Sequence, residues 1–410
     1  MTTTERLYYA DSHLLEFEAR VVSVSETAEG RAAVSLDRTA FYPTGGGQPT
    51  DTGTLGGARV VECVDGEGGG VLHVCEGEPP AEGALVRGRV DWPRRLDHIQ
   101  QHTGQHILSQ AFVELYGAQT RSFRMTEDAC EIDVELPDPS DEKVERAVRR
   151  ANEIVWGDRP VRVHLVTAEG AARMPLRKDS AREGELRVIE IEGFDFSPCG
   201  GTHAHSTGEV GCVVARQWER AKGLVRVTFA AGVRALADYA RANRTARATA
   251  ALFSVGRDEG AEAAARLQEE NRQLQRRLRA AEELAARAEA RELYEGAAVS
   301  SVGDDKAPVV VARAFEGRDA EGLRRLASAL AAHARAVALL GSAEGGAARL
   351  VFARASDVDV DVNALMHAAC QTLGGRGGGR PDMAQGGGQQ VERLAEALDA
   401  AAADARGGCR

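Results

Sequence analysis

Two short motifs carry side chains that bind transition metals. The motif QHTGQH places His102 and His106 four positions apart, and at this spacing both imidazoles project from one helix face and reach one ion. The motif CGGTH joins Cys199 to His203 through two glycines, which permit a tight turn. Three imidazoles and one thiolate suit Zn²⁺ better than Mg²⁺ or Ca²⁺. We therefore predict one zinc ion per chain.

Each metal motif alone is less specific, because paired histidines on a helix are often surface or core residues. Their occurrence in one chain, about 95 residues apart, favours a shared site. His98 and His205 lie beside the motifs as candidate spare ligands. The alternative is that these two histidines support the ligands or lie at the surface.

A third segment, FYPTGGGQPTD, contains three successive glycines. The backbone of Gly45, Gly46 and Gly47 can approach a ligand closely and offer N–H groups to an oxyanion or carbonyl. Thr44 and Gln48 are candidates to orient a water molecule, and we predict them as the catalytic residues. The alternative is a hairpin turn within a β domain.

The surrounding pattern predicts an α+β protein with four parts. Residues 1–91 contain short Val-rich stretches separated by turns, typical of a small β-barrel. Residues 92–232 begin with the helix that carries QHTGQH and mix helices with strands, which predicts an α+β zinc-binding domain. The predicted strands of these two parts are Leu14–Ser25, Ala58–Val64, Val71–Cys75, Leu85–Asp91, Cys130–Leu136, Val161–Thr167 and Leu186–Ile191, and Ser140 is the predicted N-cap of a helix to Trp156.

Residues 233–297 are helical by composition and form a predicted linker. About three heptads with Ala or Leu at the seam, and Asn271 to set the register, indicate a coiled coil. The alternative is a helical hairpin within one chain. Residues 298–410 alternate strand and helix, which predicts a separate C-terminal α/β domain containing a glycine-dense loop at 374–388.

The overall charge does not favour nucleic acid. The chain of 410 residues has 62 acidic and 51 basic side chains and a net charge of −11, so RNA binding requires a local basic patch. Residues 201–250 hold eight Arg or Lys against three acids, and the alternative for the later arginines is a solvated helix face. The predicted phosphate contacts are Arg216, Arg220, Lys222 and Arg226, with Arg376 and Arg380 in the glycine-dense loop.

The sequence gives no sign of membrane insertion or export. No apolar run approaches the ~20 residues that cross a bilayer, and the first residues lack a signal-peptide pattern. Seven scattered cysteines argue against a disulfide framework and for a reducing compartment. We expect a soluble, cytoplasmic protein.

Three motifs occur in a recognisable order: FYPTGGGQPTDTG, QQHTGQHILSQAF and PCGGTHAHSTGEVG. Together they closely resemble the AlaX family of free-standing alanyl-tRNA editing proteins, of the large type, and the editing domain of alanyl-tRNA synthetase. The segment GGRGGGRPDMAQGGG resembles the tRNA-binding C-terminal domain of that synthetase. The resemblance spans nearly the whole chain.

The resemblance implies a function and a set of site residues. His102, His106, Cys199 and His203 match the zinc ligands of the family, and Thr44 through Gln48 match the loop that lines its pocket. The further candidate substrate contacts in these motifs are Asp51, Gln101 and Thr202. The family removes serine, and usually glycine, from the tRNA for alanine. Because the chain begins directly in the editing region, we expect it to act in trans, and a homodimer through the linker or the C-terminal domain is left open.

The predicted reaction is hydrolysis of an ester between an amino acid and a terminal ribose. Zinc can activate a water or can position the substrate, and four protein ligands resemble a closed shell, which favours positioning. A polar contact from Thr44 or Gln48 to the serine hydroxyl would reject alanine, which leaves that group unpaired. The alternatives are a zinc-stabilised tRNA-binding module without activity and a zinc esterase with a non-RNA substrate. The GGGQ loop argues against the first and the C-terminal domain against the second.

Overall fold

The computed structural model describes residues 3–178, 185–299 and 307–407. The chain divides into two units, Met1–Thr249 and Ala250–Arg410. The predicted barrel and editing region lie in the first unit, whereas most of the predicted linker lies in the second. The finer division into four parts remains a prediction.

A closed six-stranded barrel confirms the predicted N-terminal β-barrel. Along its last strand Val86 and Val90 are buried while Arg87 and Arg89 are exposed, because successive side chains of a strand point to opposite faces. The barrel strands, in their order of pairing, are β2 (Glu16–Glu26), β3 (Ala32–Leu36), β7 (Val71–Glu76), β6 (Ala58–Asp65), β5 (Gly53–Leu55) and β8 (Leu85–Val90). A short parallel pair, β1 (Glu5–Arg6) with β4 (Arg38–Thr39), lies outside the barrel sheet.

The helix α1 (Trp92–Tyr116) follows the barrel directly and carries two of the predicted metal ligands. Pro93 lies in its first turn, where a missing N–H costs no helical hydrogen bond. Gly117 ends the helix with a φ of 65°, and its N–H donates to the Val113 carbonyl at 2.8 Å. Residues 98–109 are all buried, so α1 lies inside the unit instead of on its surface.

Two antiparallel sheets complete the first unit. One has the order β14-β15-β10-β9 and the other β11-β12-β13. Ser140 caps α2 as predicted, since its hydroxyl accepts a hydrogen bond from the Lys143 N–H. The elements are β9 (Thr120–Met125), β10 (Cys130–Val134), α2 (Asp141–Trp156), β11 (Val161–Thr167), α3 (Ala168–Ala171), β12 (Glu185–Ile191), β13 (Asp195–Pro198), β14 (Val213–Ala221), β15 (Leu224–Ala231) and α4 (Gly232–Leu252), which ends across the boundary of the units.

The second unit contains a five-stranded sheet with helices on both faces, which confirms the predicted C-terminal α/β domain. The sheet order is β16-β17-β18-β20-β19, and only β16 and β17 are parallel. The elements are α5 (Gly260–Val299), β16 (Val309–Glu316), α6 (Ala320–Ala331), β17 (Ala336–Glu344), β18 (Ala347–Arg354), α7 (Val362–Thr372), β19 (Arg376–Arg380), β20 (Met383–Gly388) and α8 (Leu394–Gly407).

The expectation of a glycine-dense loop at 374–388 is wrong, because most of this segment forms the hairpin of β19 and β20. At Gly377 and Gly386 the hairpin packs against α7 too closely for a side chain. A Cβ on Gly386 would lie 2.4 Å from the Sγ of Cys370. Glycine is therefore required for strand–helix contact here and does not mark a turn.

The predicted coiled-coil seam lies on the exposed middle of α5. Leu267, Leu274 and Leu278 are 53%, 62% and 59% exposed, whereas Ala290, nearer the end of the helix, is buried with residues of the C-terminal sheet. A coiled coil with a second chain remains a prediction. None of the described helices has the length and apolar character needed to cross a membrane. The six cysteines in the described ranges are free, and Cys409 lies outside them.

Candidate functional site

The structure brings the four predicted metal ligands to one point. One ligand atom of each of His102, His106, Cys199 and His203 lies within 4.8 Å of all the others. The Sγ of Cys199 is 3.3 Å from Nε2 of His102 and 3.3 Å from Nε2 of His203. In a tetrahedral zinc site, with bonds of about 2.0–2.1 Å to nitrogen and 2.3 Å to sulfur, these atoms lie about 3.5 Å apart. The donor set and its spacing therefore fit zinc.

The second ring nitrogen of each histidine has its own partner. Nδ1 of His102 pairs with Gln48 Oε1 (2.7 Å), Nδ1 of His106 with Asp195 Oδ2 (3.3 Å) and Nδ1 of His203 with Thr103 Oγ1 (3.3 Å). Amide and carboxylate oxygens accept hydrogen bonds, so the proton of His102 and His106 lies on Nδ1. The Nε2 lone pair then faces the centre of the group, as in metal-binding histidines generally.

The electrostatics favour the metal-binding form of Cys199 and His203. Burial by itself raises the pKa of the Cys199 thiol, but His102 and His203 outweigh it and hold this pKa well below its usual value. Burial lowers the pKa of His203 to about 3, against the opposing effect of Cys199. Thiolate and neutral imidazole are the forms that bind a metal. For His106, burial lowers the pKa, but the hydrogen bonds to Asp195 and Cys199 outweigh it and raise this pKa above its usual value.

Asp195 is a site residue that the sequence did not reveal. Its Oδ1 accepts hydrogen bonds from Arg177 Nε at 2.9 Å and from the Ser197 hydroxyl at 3.2 Å. Burial raises the pKa of Asp195, but His106 and Arg177 together lower it below its usual range. The ionised carboxylate orients His106. A single Asp at the start of a short strand gives no sequence signal for this role.

The loop of residues 199–203, the ligand loop, carries Cys199 and His203. Gly201 is required in it because the ligand loop approaches α1 closely. A Cβ at this position would lie 2.2 Å from Cε1 of His102 and 3.0 Å from Oε1 of Gln48. At Gly200 the nearest atom would be the hydroxyl of Tyr9 at 3.6 Å, an ordinary contact. The two glycines of CGGTH therefore differ, and only the second is sterically necessary.

Gln48 lies beneath the ligand loop. Its Nε2 donates to the Thr202 hydroxyl at 3.0 Å, and its Oε1 accepts from the Thr202 backbone N–H at 3.2 Å as well as from His102. Gln48 and Thr202 are both buried. These contacts give Gln48 a positioning role, and the predicted catalytic and substrate contacts of the pair remain predictions.

Asp51 and Gln101 also hold the framework. Asp51 accepts from the Tyr42 backbone N–H at 2.7 Å and forms an ion pair with Arg95, in which both side chains are fully buried. Gln101 exchanges two hydrogen bonds of 2.8 Å with the backbone of Ala231. Their predicted contact with substrate remains a prediction.

A cleft of about 1030 Å³ opens over the ligands. His102, His106 and Cys199 line it, together with the predicted Gly45 and Gly46. The predicted residues Thr44, Gly47 and Gln48 are not among the described residues that line the cleft, and Thr44 is exposed. The other lining groups include the rings of Tyr9, Tyr42 and Phe123 and the cations of Arg6, Arg121, Arg177, Lys178 and Arg187.

Arg187 lines this cleft and has one unused donor. The side chain is 8% exposed. Its Nη1 donates to the backbone carbonyls of Cys199 and Gly201 at 2.8 and 2.9 Å, and its Nε donates to the backbone carbonyl of Tyr9 at 3.1 Å. Its Nη2 is buried and has no hydrogen-bond partner among the described residues. A buried unpaired donor is costly, and an oxygen of a bound ligand would satisfy it.

The predicted phosphate contacts lie on two surfaces. Arg216, Arg220, Lys222 and Arg226 lie on the β14–β15 hairpin of the first unit, and Arg376 and Arg380 on β19 of the second. Three of these cations have carboxylate partners: Arg216 with Asp238 (3.1 Å), Arg226 with Asp133 (2.8 Å) and Arg380 with Asp382 (3.0 Å). Their role in tRNA binding remains a prediction, and the five cations around the cleft were missed.

Neither candidate spare ligand belongs to the group of four. His98 is buried on α1, where burial, with a smaller effect from Arg94, lowers its pKa to about 3. His205 instead lies with Asp11 and His13.

Comparison with known proteins identifies the class first. A family model described as the threonyl and alanyl tRNA synthetase second additional domain matches residues 186–228, which include Cys199 and His203. The model of the DHHA1 domain matches residues 306–406 in the second unit. The chain thus carries, in order, two domains that occur in proteins related to alanyl-tRNA synthetase.

Individual relatives make the comparison more specific. The alanine–tRNA ligase of Pyrobaculum neutrophilum is 36% identical over 93% of this chain and 42% of its own length. The alanyl-tRNA editing protein AlaX-L of Pyrococcus horikoshii is 38% identical over 57% of this chain and 59% of its own length. These matches confirm the predicted resemblance to AlaX-type editing proteins.

The chain matches only part of each relative. The chain spans less than half of the ligase and about three-fifths of the editing protein. The solved C-Ala domain of Aquifex aeolicus alanyl-tRNA synthetase is 30% identical over 22% of this chain and 82% of that chain, with a TM-score of 0.21. At this score the likeness assigns no fold.

Proposed function

We propose that the chain is an aminoacyl-tRNA deacylase that hydrolyses Ser-tRNA(Ala), and also Gly-tRNA(Ala), at the cleft of the first unit. One observation carries the proposal. Three of the four candidate ligands, His102, His106 and Cys199, line a cleft that is also lined by Gly45, Gly46 and Arg187, whose Nη2 has no partner among the described residues. The AlaX-L relative is an alanyl-tRNA editing protein by name, which supports the same class of reaction.

The cleft suits the end of a charged tRNA. Its volume of about 1030 Å³ is at the upper end of the ~300–1000 Å³ typical of small-ligand sites, so a terminal nucleoside with its aminoacyl ester fits. The partly exposed rings of Tyr9 and Phe123 offer surfaces on which a base stacks. Of the five cationic side chains in the lining, Arg6, Arg121 and Arg177 have carboxylate partners. Lys178 and Arg187 have none among the described residues and are the cations left to meet a phosphate.

The residues of the site have different roles in the proposed ester hydrolysis. Nη2 of Arg187 donates to the ester carbonyl oxygen and stabilises the negative charge that develops there. Zinc, when bound by the four ligands, supplies Lewis acidity and a fixed positive charge. Gln48 and Asp195 hold His102 and His106 in position. The exposed Thr44 hydroxyl remains the predicted group that orients water.

A direct assay tests the proposed activity. The zinc-loaded protein is incubated with labelled Ser-, Gly- and Ala-tRNA(Ala), and release of the amino acid is followed. We expect serine and glycine to be released faster than alanine. Equal rates on the correct and incorrect substrates, or hydrolysis of none, would overturn the proposal.

A second candidate function is a zinc-stabilised tRNA-binding module without catalysis. The observation that favours it is the set of four protein ligands, which completes a tetrahedral shell as in structural zinc sites. The cleft and the unpaired Arg187 donor favour catalysis instead. Binding of Ser-tRNA(Ala) without release of serine would support this second candidate.

We propose that the second unit supplies tRNA affinity. The proposal is supported by the DHHA1 match over residues 306–406 and by the position of Arg376 and Arg380 on the β19 edge strand. The exposed leucines of α5 support the further proposal that two chains pair through this helix.

A further inference from the structure

A second group of side chains that can bind a metal ion lies outside the cleft lining. One ligand atom of each of Asp11, His13 and His205 lies within 4.8 Å of the other two. Asp11 and His13 lie in the segment before β2, and His205 lies in the loop that follows His203. The group contains no sulfur, so it differs chemically from the group that includes Cys199.

The donor spacing in this group matches a coordination sphere. Nε2 of His205 lies 3.0 Å from Oδ1 of Asp11. Two ligands about 2.1 Å from an ion and at right angles to each other lie about 3.0 Å apart. The rings of His13 and His205 lie side by side, with centroids 3.8 Å apart at an angle of 30°, and a ligand atom of each lies within 4.8 Å of the other.

One nitrogen of His13 lacks a partner. Nε2 of His13 lies 2.7 Å from Oε2 of Glu209 and donates to it, because the carboxylate only accepts. Nδ1 therefore carries a lone pair, and within the described part of the chain this buried atom has no hydrogen-bond partner. A metal-binding histidine commonly donates its other N–H to a carboxylate, and Glu209 occupies that position.

The remaining contacts hold the group in place without an ion. The backbone N–H of His13 donates to Oδ1 of Asp11 at 2.8 Å, and the backbone N–H of His205 donates to Oε1 of Glu209 at 3.0 Å. Ser12 lies between Asp11 and His13 in the sequence. Its hydroxyl accepts a hydrogen bond of 3.1 Å from the backbone N–H of His203. The group is therefore preorganised and connected to the ligand loop.

We propose that Asp11, His13 and His205 bind a second divalent transition-metal ion, with Glu209 orienting His13. Two imidazoles and one carboxylate suit borderline first-row ions such as Ni²⁺, Co²⁺, Fe²⁺ or Zn²⁺ and leave coordination positions open. The bound ion would join residues 11–13 to residues 205–209 and so fix the backbone beside His203. Because such an ion binds only the folded chain, it would also stabilise the fold.

Titration of the zinc-loaded full chain with Ni²⁺ tests this site by calorimetry. We expect one Ni²⁺ per chain in addition to zinc. His13→Gln and His205→Gln should each weaken Ni²⁺ binding by about tenfold or more. The control is His164→Gln. His164 also pairs with a glutamate, Glu190, at 2.7 Å, but it belongs to neither group of candidate metal ligands. This variant should bind Ni²⁺ with the affinity of the parent protein. No Ni²⁺ bound, or unchanged affinity in both test variants, would overturn the proposal.

Two spectroscopic measurements locate the ion without using enzyme activity. The rings of His13 and Trp92 have centroids 5.4 Å apart, so bound Ni²⁺ should quench Trp92, and Trp92→Phe should remove that quenching while retaining the calorimetric stoichiometry. Co²⁺ added to the zinc-loaded protein should give no thiolate-to-metal charge-transfer band, since the proposed ligands are nitrogen and oxygen. Appearance of that band with loss of zinc would mean exchange at Cys199 and would contradict a separate site.

Discussion

Oε1 of Gln48 accepts a hydrogen bond of 2.7 Å from Nδ1 of His102 across 54 positions of sequence. The contact joins the glycine-rich segment of the barrel region to the helix that carries two predicted metal ligands. It keeps the proton on Nδ1 and leaves Nε2 facing Cys199 at 3.3 Å. The two motifs therefore form one structural unit.

Replacement of Gln48 tests this positioning role. Gln48→Ala should lower zinc affinity by about 10–100-fold, as loss of a group that supports a metal ligand generally does. Gln48→Glu keeps an oxygen acceptor for His102 and should lower it less. Competition with a chromophoric chelator measures both affinities. Unchanged zinc affinity in Gln48→Ala together with lost deacylation would show instead that the amide acts on the substrate, as the sequence predicts.

The two glycines of CGGTH provide a matched pair. Gly201→Ala places a methyl group 2.2 Å from a ring carbon of His102 and should cost about 1–3 kcal/mol in the free energy of unfolding. We also expect its zinc content to fall below one per chain. Gly200→Ala meets only the Tyr9 hydroxyl at 3.6 Å and should retain both properties. Equal zinc content and melting temperature in the two variants would contradict the close contact.

Arg187 should affect the reaction through its unpaired Nη2. Arg187→Gln should lower kcat/KM for Ser-tRNA(Ala) by about 10–100-fold, because it removes one hydrogen bond from a charged donor. The control is Arg162→Gln on the neighbouring strand, because Arg162 is exposed and pairs with Glu192 at 2.7 Å. Zinc content is measured in parallel, since Arg187 also holds the carbonyl of Cys199. Zinc-loaded Arg187→Gln with the parent rate would exclude this role.

Local spacing explains which parts of the site the sequence revealed. His102 and His106 lie four apart on one helix, and Cys199 and His203 share one tight turn, so the grouping within each motif is a local property. Asp195 and Arg187 were missed because they reach the ligands through tertiary packing that no spacing encodes.

The same distinction applies to the fold. The barrel strands β2, β6, β7 and β8 were predicted. β3, which has a single valine, and β5, which has only three residues, were missed. Ser140 was predicted correctly because an N-cap is set by its nearest neighbours. The sequence predicts a loop where the β19–β20 hairpin lies, because dense glycine is typical of loops. Here glycine is needed for close contact with α7, and that contact exists only in the folded domain.

His98 should make stability fall in acid. Burial lowers its pKa to about 3, whereas an unfolded histidine has a pKa of about 6.5. Between these values the unfolded chain binds a proton that folded His98 does not, so the free energy of unfolding falls as pH decreases, by at most about 1.4 kcal/mol per pH unit. Urea unfolding at pH 6.5, 5.5 and 4.5 should show a shallower dependence in His98→Gln. The same pH dependence in both proteins would contradict a neutral buried His98.

The most direct test of the proposed function compares two cysteine variants. Cys199 lies in the ligand group, whereas Cys212 is partly buried and belongs to neither metal-type group. Single-turnover release of serine from Ser-tRNA(Ala) is measured for the zinc-loaded parent, Cys199→Ala and Cys212→Ala. We predict that the parent and Cys212→Ala release serine faster than they release alanine from Ala-tRNA(Ala), and that Cys199→Ala loses both this activity and its zinc. Serine release by zinc-free Cys199→Ala at the parent rate would contradict deacylation at this site.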